Sequence, residues 1–272
     1  MAIKGEWVKY GDQVGYLALP AMAAPPMPGV VVIQEVGGVN GQIEDVTRRI
    51  AAAGYVALAP DLFAVNGTRP PAFTGERIGK TFDFMRRLPP GSMMDPSARE
   101  AALAKLPDIE RQQITETFGS IFGSAAPDRM QSMVGPLRSA VRYLRTERPE
   151  TQQQPVGCVG FCMGGGLSAL LACEEPELAG AAIFYGSAPP LERVPRIACP
   201  VVGFYGALDA RINAGLPAFA QAMEAAGKSF EHHVYPGAAH AFFNDDRPSY
   251  EVRAARGSYT RLLEFLERTT GP

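Results

Sequence analysis

Cys162 stands in the run Gly160-Phe161-Cys162-Met163-Gly164, a thiol flanked at two-residue distance by glycines. This is the spacing of a nucleophile elbow, G-x-S-x-G, with sulfur in place of the serine oxygen. A strand-to-helix turn that sharp strains the nucleophile's backbone and presses neighbouring backbone against both flanks, so side chains at 160 and 164 would collide. The surrounding residues supply the two elements: "PVGCVGF" reads as a buried strand and "MGGGLSALLA" as the start of a small-residue helix. A cysteine at a helix N-terminus faces unpartnered amide donors and the positive end of the dipole, both of which favour negative charge on sulfur. Cys158, Cys173 and Cys199 lie in apolar strand or helix patterns and read as small buried thiols. The same inert role is the alternative for Cys162, and the flanking glycines argue against it.

A thiol nucleophile needs a base, and the chain offers three histidines. His232 and His233 are neighbours inside the strand-like "FEHHVYP" and must face opposite sides of the sheet. His240 follows the turn "PGAAH" beyond that strand, where a connecting loop can carry it over the elbow. It is the base by this reading, the alternative being a hydrogen-bonded loop histidine. The acid that orients the imidazole falls between nucleophile and histidine in chain order for an elbow of this type. Asp209, directly after the buried run "CPVVGFYG", meets that condition, whereas Glu192, Glu224 and Glu231 lie in charged, solvated contexts. The alternative for Asp209 is a helix cap. Together the three would let Asp209 fix the tautomer, His240 hold or move the proton, and Cys162 attack a carbonyl.

The elements that must position these residues alternate between strand and helix patterns. Residues 6–19 alternate apolar and polar about Gly11-Asp12 and predict an opening antiparallel hairpin. "GVVVIQEV" reads as a buried strand, "NGQIEDVTRRIAAAG" as a helix stopped by Gly54, and "YVALAPDLF" as the next strand. From about residue 66 to 128 prolines at 70, 71, 89, 90, 96, 107 and 127 separate short amphipathic pieces, which predicts a helical excursion forming a lid or pocket wall. The alternation then resumes to the end of the chain. The pattern predicts an α/β fold in one domain spanning residues 1–272, a mostly parallel sheet of about seven or eight strands with helices on both faces.

Composition narrows the function classes. The chain has 272 residues, a net charge of −2 and 46% hydrophobic residues, with no basic run to attract nucleic acid or an anionic membrane surface. No apolar run approaches the roughly 20 residues of a membrane span, and the charged N-terminus lacks the apolar core of an export signal. Four cysteines without metal-type spacing predict a reduced, cytoplasmic protein without a metal site.

Glu35 is the anomaly: a carboxylate in "VVVIQEVGGVNGQ", at the end of a strand expected to be buried on both faces, where an unpaired charge is costly. The bland alternative is a strand-end carboxylate reaching solvent or an arginine. Four segments, "QEVGGVNGQIEDVTRRIAAAGYVALAPDLF", "VGCVGFCMGGGLSALLA", "VVGFYGALDARI" and "YPGAAHAFFN", together resemble the dienelactone hydrolase family of α/β-hydrolases over nearly the whole chain. The resemblance implies an α/β-hydrolase fold, the triad Cys162, Asp209 and His240, and a Glu35 that holds the thiol proton until substrate displaces it. It places the oxyanion hole at the backbone N–H groups of Val36 and Met163, as the elbow rule also does. It implies no metal or organic cofactor and a small-molecule ester or lactone substrate, cleaved by a monomer or small homo-oligomer. Two positions depart from the family: Asn244 stands where well-known members hold the substrate carboxylate with arginine, and Arg111 is only a loose match for a second such arginine. Arg247 is close to the first position but out of register. The readings left beside a dienelactone-type hydrolase are a general carboxylesterase and a non-catalytic small-molecule binder on the same fold.

Overall fold

Eight strands form one sheet: β3 to β7 come from short apolar runs rich in β-branched and aromatic residues that alternate with helices, and more polar strands lie at the two edges. The computed structural model of the chain describes residues 2–22, 25–89, 92 and 95–271, so Pro90 of the proline-rich excursion lies outside the described residues. β1 (Ile3–Tyr10) and β2 (Gln13–Pro20) make the expected hairpin, with Gly11 at φ +56° in the turn. β3 (Gly29–Ile33), α1 (Gly41–Ala52) and β4 (Val56–Pro60) form the first crossover unit, α1 being capped by Asn40, whose side chain accepts from Ile43 N–H at 3.1 Å. β3 ends two residues before Glu35, shorter than its apolar pattern suggests. There Glu35 turns the chain, its carbonyl accepting from Gly38 N–H at 3.0 Å.

The excursion is helical: a 3-10 turn at Pro71–Phe73, then α2 (Gly75–Arg86), α3 (Pro96–Leu103) and α4 (Asp108–Gly123). It carries a small apolar cluster of its own, Phe84, Met85, Leu88, Leu103 and Ile114. α5 (Pro127–Arg142) returns the chain to the sheet. β5 (Val156–Phe161), α6 (Met163–Glu174), β6 (Ala181–Phe184), β7 (Val201–Gly206), the short α7 (Ala210–Asn213), α8 (Leu216–Ala225), β8 (Phe230–Tyr235) and α9 (Val252–Thr270) complete it.

Strand order is β1-β2-β4-β3-β5-β6-β7-β8, and all neighbours are parallel except those involving β2. Because side chains alternate across a strand, Val30 and Val32 pack with α1 and α9, while Val31 and Ile33 pack with α5 and α6. The inner strands β3 to β7 are therefore buried on both faces, while the edge strands β1 and β8 are partly exposed. Between β3 and β5 the direction of winding reverses, and a crevice must open at the carboxyl ends of those strands, since their following helices leave on opposite sides. Glu35 follows β3 and Cys162 follows β5, so the topology alone puts both at that crevice.

Candidate active site

Cys162 sits between β5 and α6 with φ +56° and ψ −114°, a region that residues with a side chain rarely occupy. The surrounding backbone leaves no alternative to glycine: a Cβ at Gly160 would collide with the Gly164 carbonyl, and one at Gly164 with the Ile33 carbonyl. One more glycine allows α6 to pack against β6, since a Cβ at Gly165 would lie 2.7 Å from the Phe184 oxygen. The thiol is half-buried at the meeting point of the two cores.

His240 reaches the sulfur from the loop after β8. Gly206 at the end of β7 makes room for that loop, because a Cβ there would lie 2.6 Å from the Ala238 carbonyl. Amides of Ala207 and Leu208 donate to Tyr235 and Ala238 carbonyls at 3.0 and 2.9 Å, tying the ends of β7 and β8 together. The imidazole Nε2 then lies 3.2 Å from Cys162 Sγ, and Nδ1 lies 2.5 Å from Asp209 Oδ2. Asp209 also caps α7, its Oδ1 accepting from Ile212 N–H at 3.4 Å, so both roles considered for it coexist. Burial opposes charge on His240, yet its bonds to Asp209 and to Cys162 outweigh that and raise its pKa to about 10. Burial pushes the Asp209 carboxyl up, but the His240 hydrogen bond and charge hold it below its ordinary value. His232 and His233 remain on β8, where His233 pairs with Glu231 at 2.8 Å.

Glu35 is only 4% exposed and is surrounded by donors. Tyr185 O–H donates to Oε1 at 3.2 Å, while Asn244 Nδ2 and an Arg247 nitrogen donate to Oε2 at 3.1 and 3.3 Å. Asn244, considered for substrate, is thus 3% exposed and spent on Glu35. Arg247, out of register by sequence, arrives there after all, its guanidinium 5.2 Å from the centre of the Phe82 ring on α2. No hydrogen bond joins Glu35 to Cys162 among the described residues; the sulfur faces His240. Tyr185 was invisible to sequence reasoning, and the one available signal was that a buried carboxylate requires buried donors. Tyr185 is fully buried, takes φ +39°, and sets its ring edge-on to His240 with centroids 5.2 Å apart. Burial and the Glu35 charge push its phenol far above the ordinary range, so it serves as a neutral donor.

Met163 is the first residue of α6, a position whose N–H has no intrahelical acceptor, and the Val36 N–H has no acceptor among the described residues. Arg111 is not brought to this cluster. It pairs with Asp108 at 2.6 Å on the first turn of α4, and Ser124, which meets Met163 Sδ at 3.3 Å, lies 13 residues further on, about 20 Å along a helix axis. The other cysteines are buried, and burial first of all raises Cys158 to about 12 and Cys173 and Cys199 to about 11. Among the described residues no cluster of three or more His, Cys, Asp or Glu side chains is arranged to hold a metal ion, and no helix is long and apolar enough to cross a membrane.

The sequence model of the dienelactone hydrolase family matches residues 14–270. The chain belongs to the dienelactone hydrolase family. A relative from Saccharolobus solfataricus, provisionally named a carboxymethylenebutenolidase, is 34% identical over 252 residues, spanning 92% of this chain and 93% of its own. A protein of the same provisional name from Escherichia coli K12 is 29% identical over 273 residues, spanning 96% of this chain and 84% of its own. The crystal structure of a provisionally named dienelactone hydrolase from Klebsiella pneumoniae matches with a TM-score of 0.69 at 26% identity, covering 98% of this chain and all of that one. Membership makes the chain a hydrolase of the α/β-hydrolase fold, with the eight-stranded, mostly parallel sheet described above.

Proposed function

We propose that this member of the dienelactone hydrolase family cleaves a small ester or lactone by acyl transfer to Cys162 and then to water. The observation that carries the reading is the continuous contact of Cys162 Sγ, the His240 ring and Asp209, at 3.2 and 2.5 Å. With its pKa raised to about 10, His240 holds a proton at neutral pH, Asp209 accepting from Nδ1–H and the sulfur from Nε2–H. The thiolate attacks the carbonyl carbon, and the new oxyanion is received by the Val36 and Met163 amides. Collapse breaks the C–O bond, and the Nε2 proton passes to the leaving oxygen. In a lactone that oxygen stays tethered to the acyl group. The neutral imidazole next takes a proton from water, whose oxygen attacks the thioester; the carbon–sulfur bond breaks and the thiolate–imidazolium pair is restored. Every proton is carried by His240, so the sequence of steps uses no metal or organic cofactor. The names of the relatives support a lactone among the substrates. The helices of the excursion, which bring Phe82 to Arg247, act in this reading as a pocket wall within a single domain.

Replacing Cys162 by Ala tests the reading. Hydrolysis of p-nitrophenyl acetate and of a small lactone should fall by at least about a thousandfold, with the fold intact by circular dichroism. Iodoacetamide followed by peptide mapping should label Cys162 first and abolish turnover in proportion. Retained turnover in the Ala variant, or labelling spread evenly over four cysteines, removes the thiol from the mechanism.

A further inference from the structure

Gly37 follows Val36 in the turn that supplies one oxyanion donor of the proposed mechanism. Its backbone does not call for glycine, since it lacks the positive φ of its neighbour Gly38. The space around it does. A Cβ at Gly37 would stand 3.3 Å from a ring carbon of Phe82 and 3.3 Å from Asn40 Nδ2, closer than ordinary van der Waals contact. The place of a side chain at 37 is thus taken by an aromatic ring from another segment. Phe82 is delivered there by α2. Ile78, one turn earlier on the same stripe, is buried in the large cluster shared with β3, β5 and α6, while Phe84, Met85 and Leu88 belong to the excursion's own cluster. Phe82 packs against both clusters and keeps part of its surface open. The Arg247 guanidinium lies 5.2 Å from the centre of its ring and donates to Glu35 Oε2 at 3.3 Å, so the ring is held by both segments that border the crevice.

In the acyl-transfer reading the four substituents of the reacting carbon point four ways. Sulfur attacks along one, the oxyanion faces the Val36 and Met163 amides, and the leaving oxygen lies at His240 Nε2, from which it takes its proton. The acyl chain has the fourth. We propose that this direction runs over the Val36–Gly37 turn onto the Phe82 ring, and that Phe82 is the residue that limits acyl length. The site then takes short acyl groups and compact lactones, whose chain curls back to the leaving oxygen and stays clear of the ring. The inference rests on the acyl-transfer reading and adds a substrate class to it. A firmly held apolar wall discriminates by roughly 10- to 200-fold per misfit methylene, enough to exclude a long chain.

The test is kcat/KM for p-nitrophenyl acetate, butyrate and hexanoate, measured on the full chain and on Phe82→Leu and Phe82→Ala. The parent should lose at least about tenfold from acetate to hexanoate. The hexanoate-to-acetate ratio should rise at least about tenfold in Phe82→Ala and by an intermediate factor in Phe82→Leu. A ratio is blind to the amount of folded enzyme, so a merely structural role leaves it unmoved. Should Phe82→Ala fail to fold, Phe82→Leu, which removes less of the ring's bulk, carries the test. Ratios within about twofold of the parent in the folded variants overturn the proposal, whatever happens to absolute turnover, and so does a parent that prefers hexanoate. A second series keeps the acetyl group and compares phenyl with ethyl acetate, and its ratio should stay within about threefold in the variants. A shift confined to that series puts Phe82 beside the leaving group and also overturns the proposal. Flat acyl ratios with Cys162→Ala still inactive would leave the acyl-transfer reading standing, so the two can fail separately.

Discussion

At the scale of single residues, His240 governs the pH response. Its pKa in the folded chain, raised to about 10, lies above the ordinary 6.5, so the stabilisation it contributes is complete below about pH 6.5. That stabilisation is lost as pH rises through about 10. Asp209 has the opposite sign: its lowered pKa contributes stability above the ordinary carboxylate range, lost as pH falls through the folded value. The expected result is a melting temperature that declines between about pH 7 and 10, with a flatter decline in His240→Gln, which cannot titrate there. Thermal scans of both proteins across that window check it, and parallel slopes would remove His240 as the cause. Glu35 is held in place by three donors from two other loops.

Between elements, the link that deserves a test is Asp61 to Arg69. Asp61 directly follows β4 at 4% exposure, accepting from Phe63 N–H at 3.1 Å and from Arg69 Nε at 2.6 Å. Arg69 in turn donates to the Val39 carbonyl at 2.8 Å, fastening the start of the helical excursion to the loop between β3 and α1. Breaking a buried pair by removing one partner leaves the other charge stranded, at a cost of about 3–5 kcal/mol. Asp61→Ala should lose that much in urea unfolding monitored by circular dichroism. Because the same loop carries Val36, turnover should drop as well; a loss below about 1 kcal/mol would mean that water replaces the carboxylate, as at an exposed pair.

Across the whole molecule, stability is unevenly distributed. β3 and β5 lie between two large apolar clusters and α6 is buried in one of them, whereas α3 rests on the five-residue cluster of the excursion and shows solvent most of its surface. Native-state hydrogen exchange should therefore find α3 amides opening at a fraction of the global unfolding free energy, with the amides of β3, β5 and α6 exchanging only on global unfolding. Uniform protection through the excursion would show that it unfolds with the sheet. The same contrast bears on catalysis. The elbow joins β5 to α6, which are expected to open last, while Phe82 belongs to α2 of the excursion.

Much of this architecture was legible along the chain, because it follows from short-range rules. Apolar runs of strand length, helical periodicity and turn glycines mark the alternating elements. Gly160 and Gly164 announced a bend too tight for side chains, and Asp209 and His240 followed strand patterns in the order such a bend requires. The length of β3 was overestimated, since apolar pattern does not show where backbone pairing stops; the chain leaves the sheet at Gln34. The sequence by itself determined the elements, the nucleophile's turn and the need for something to neutralise Glu35. Only the tertiary structure decided what neutralises it, because Tyr185, Asn244 and Arg247 lie 150, 209 and 212 residues away. Contacts over such separations depend on strand order and on the paths of loops, which local periodicity does not encode.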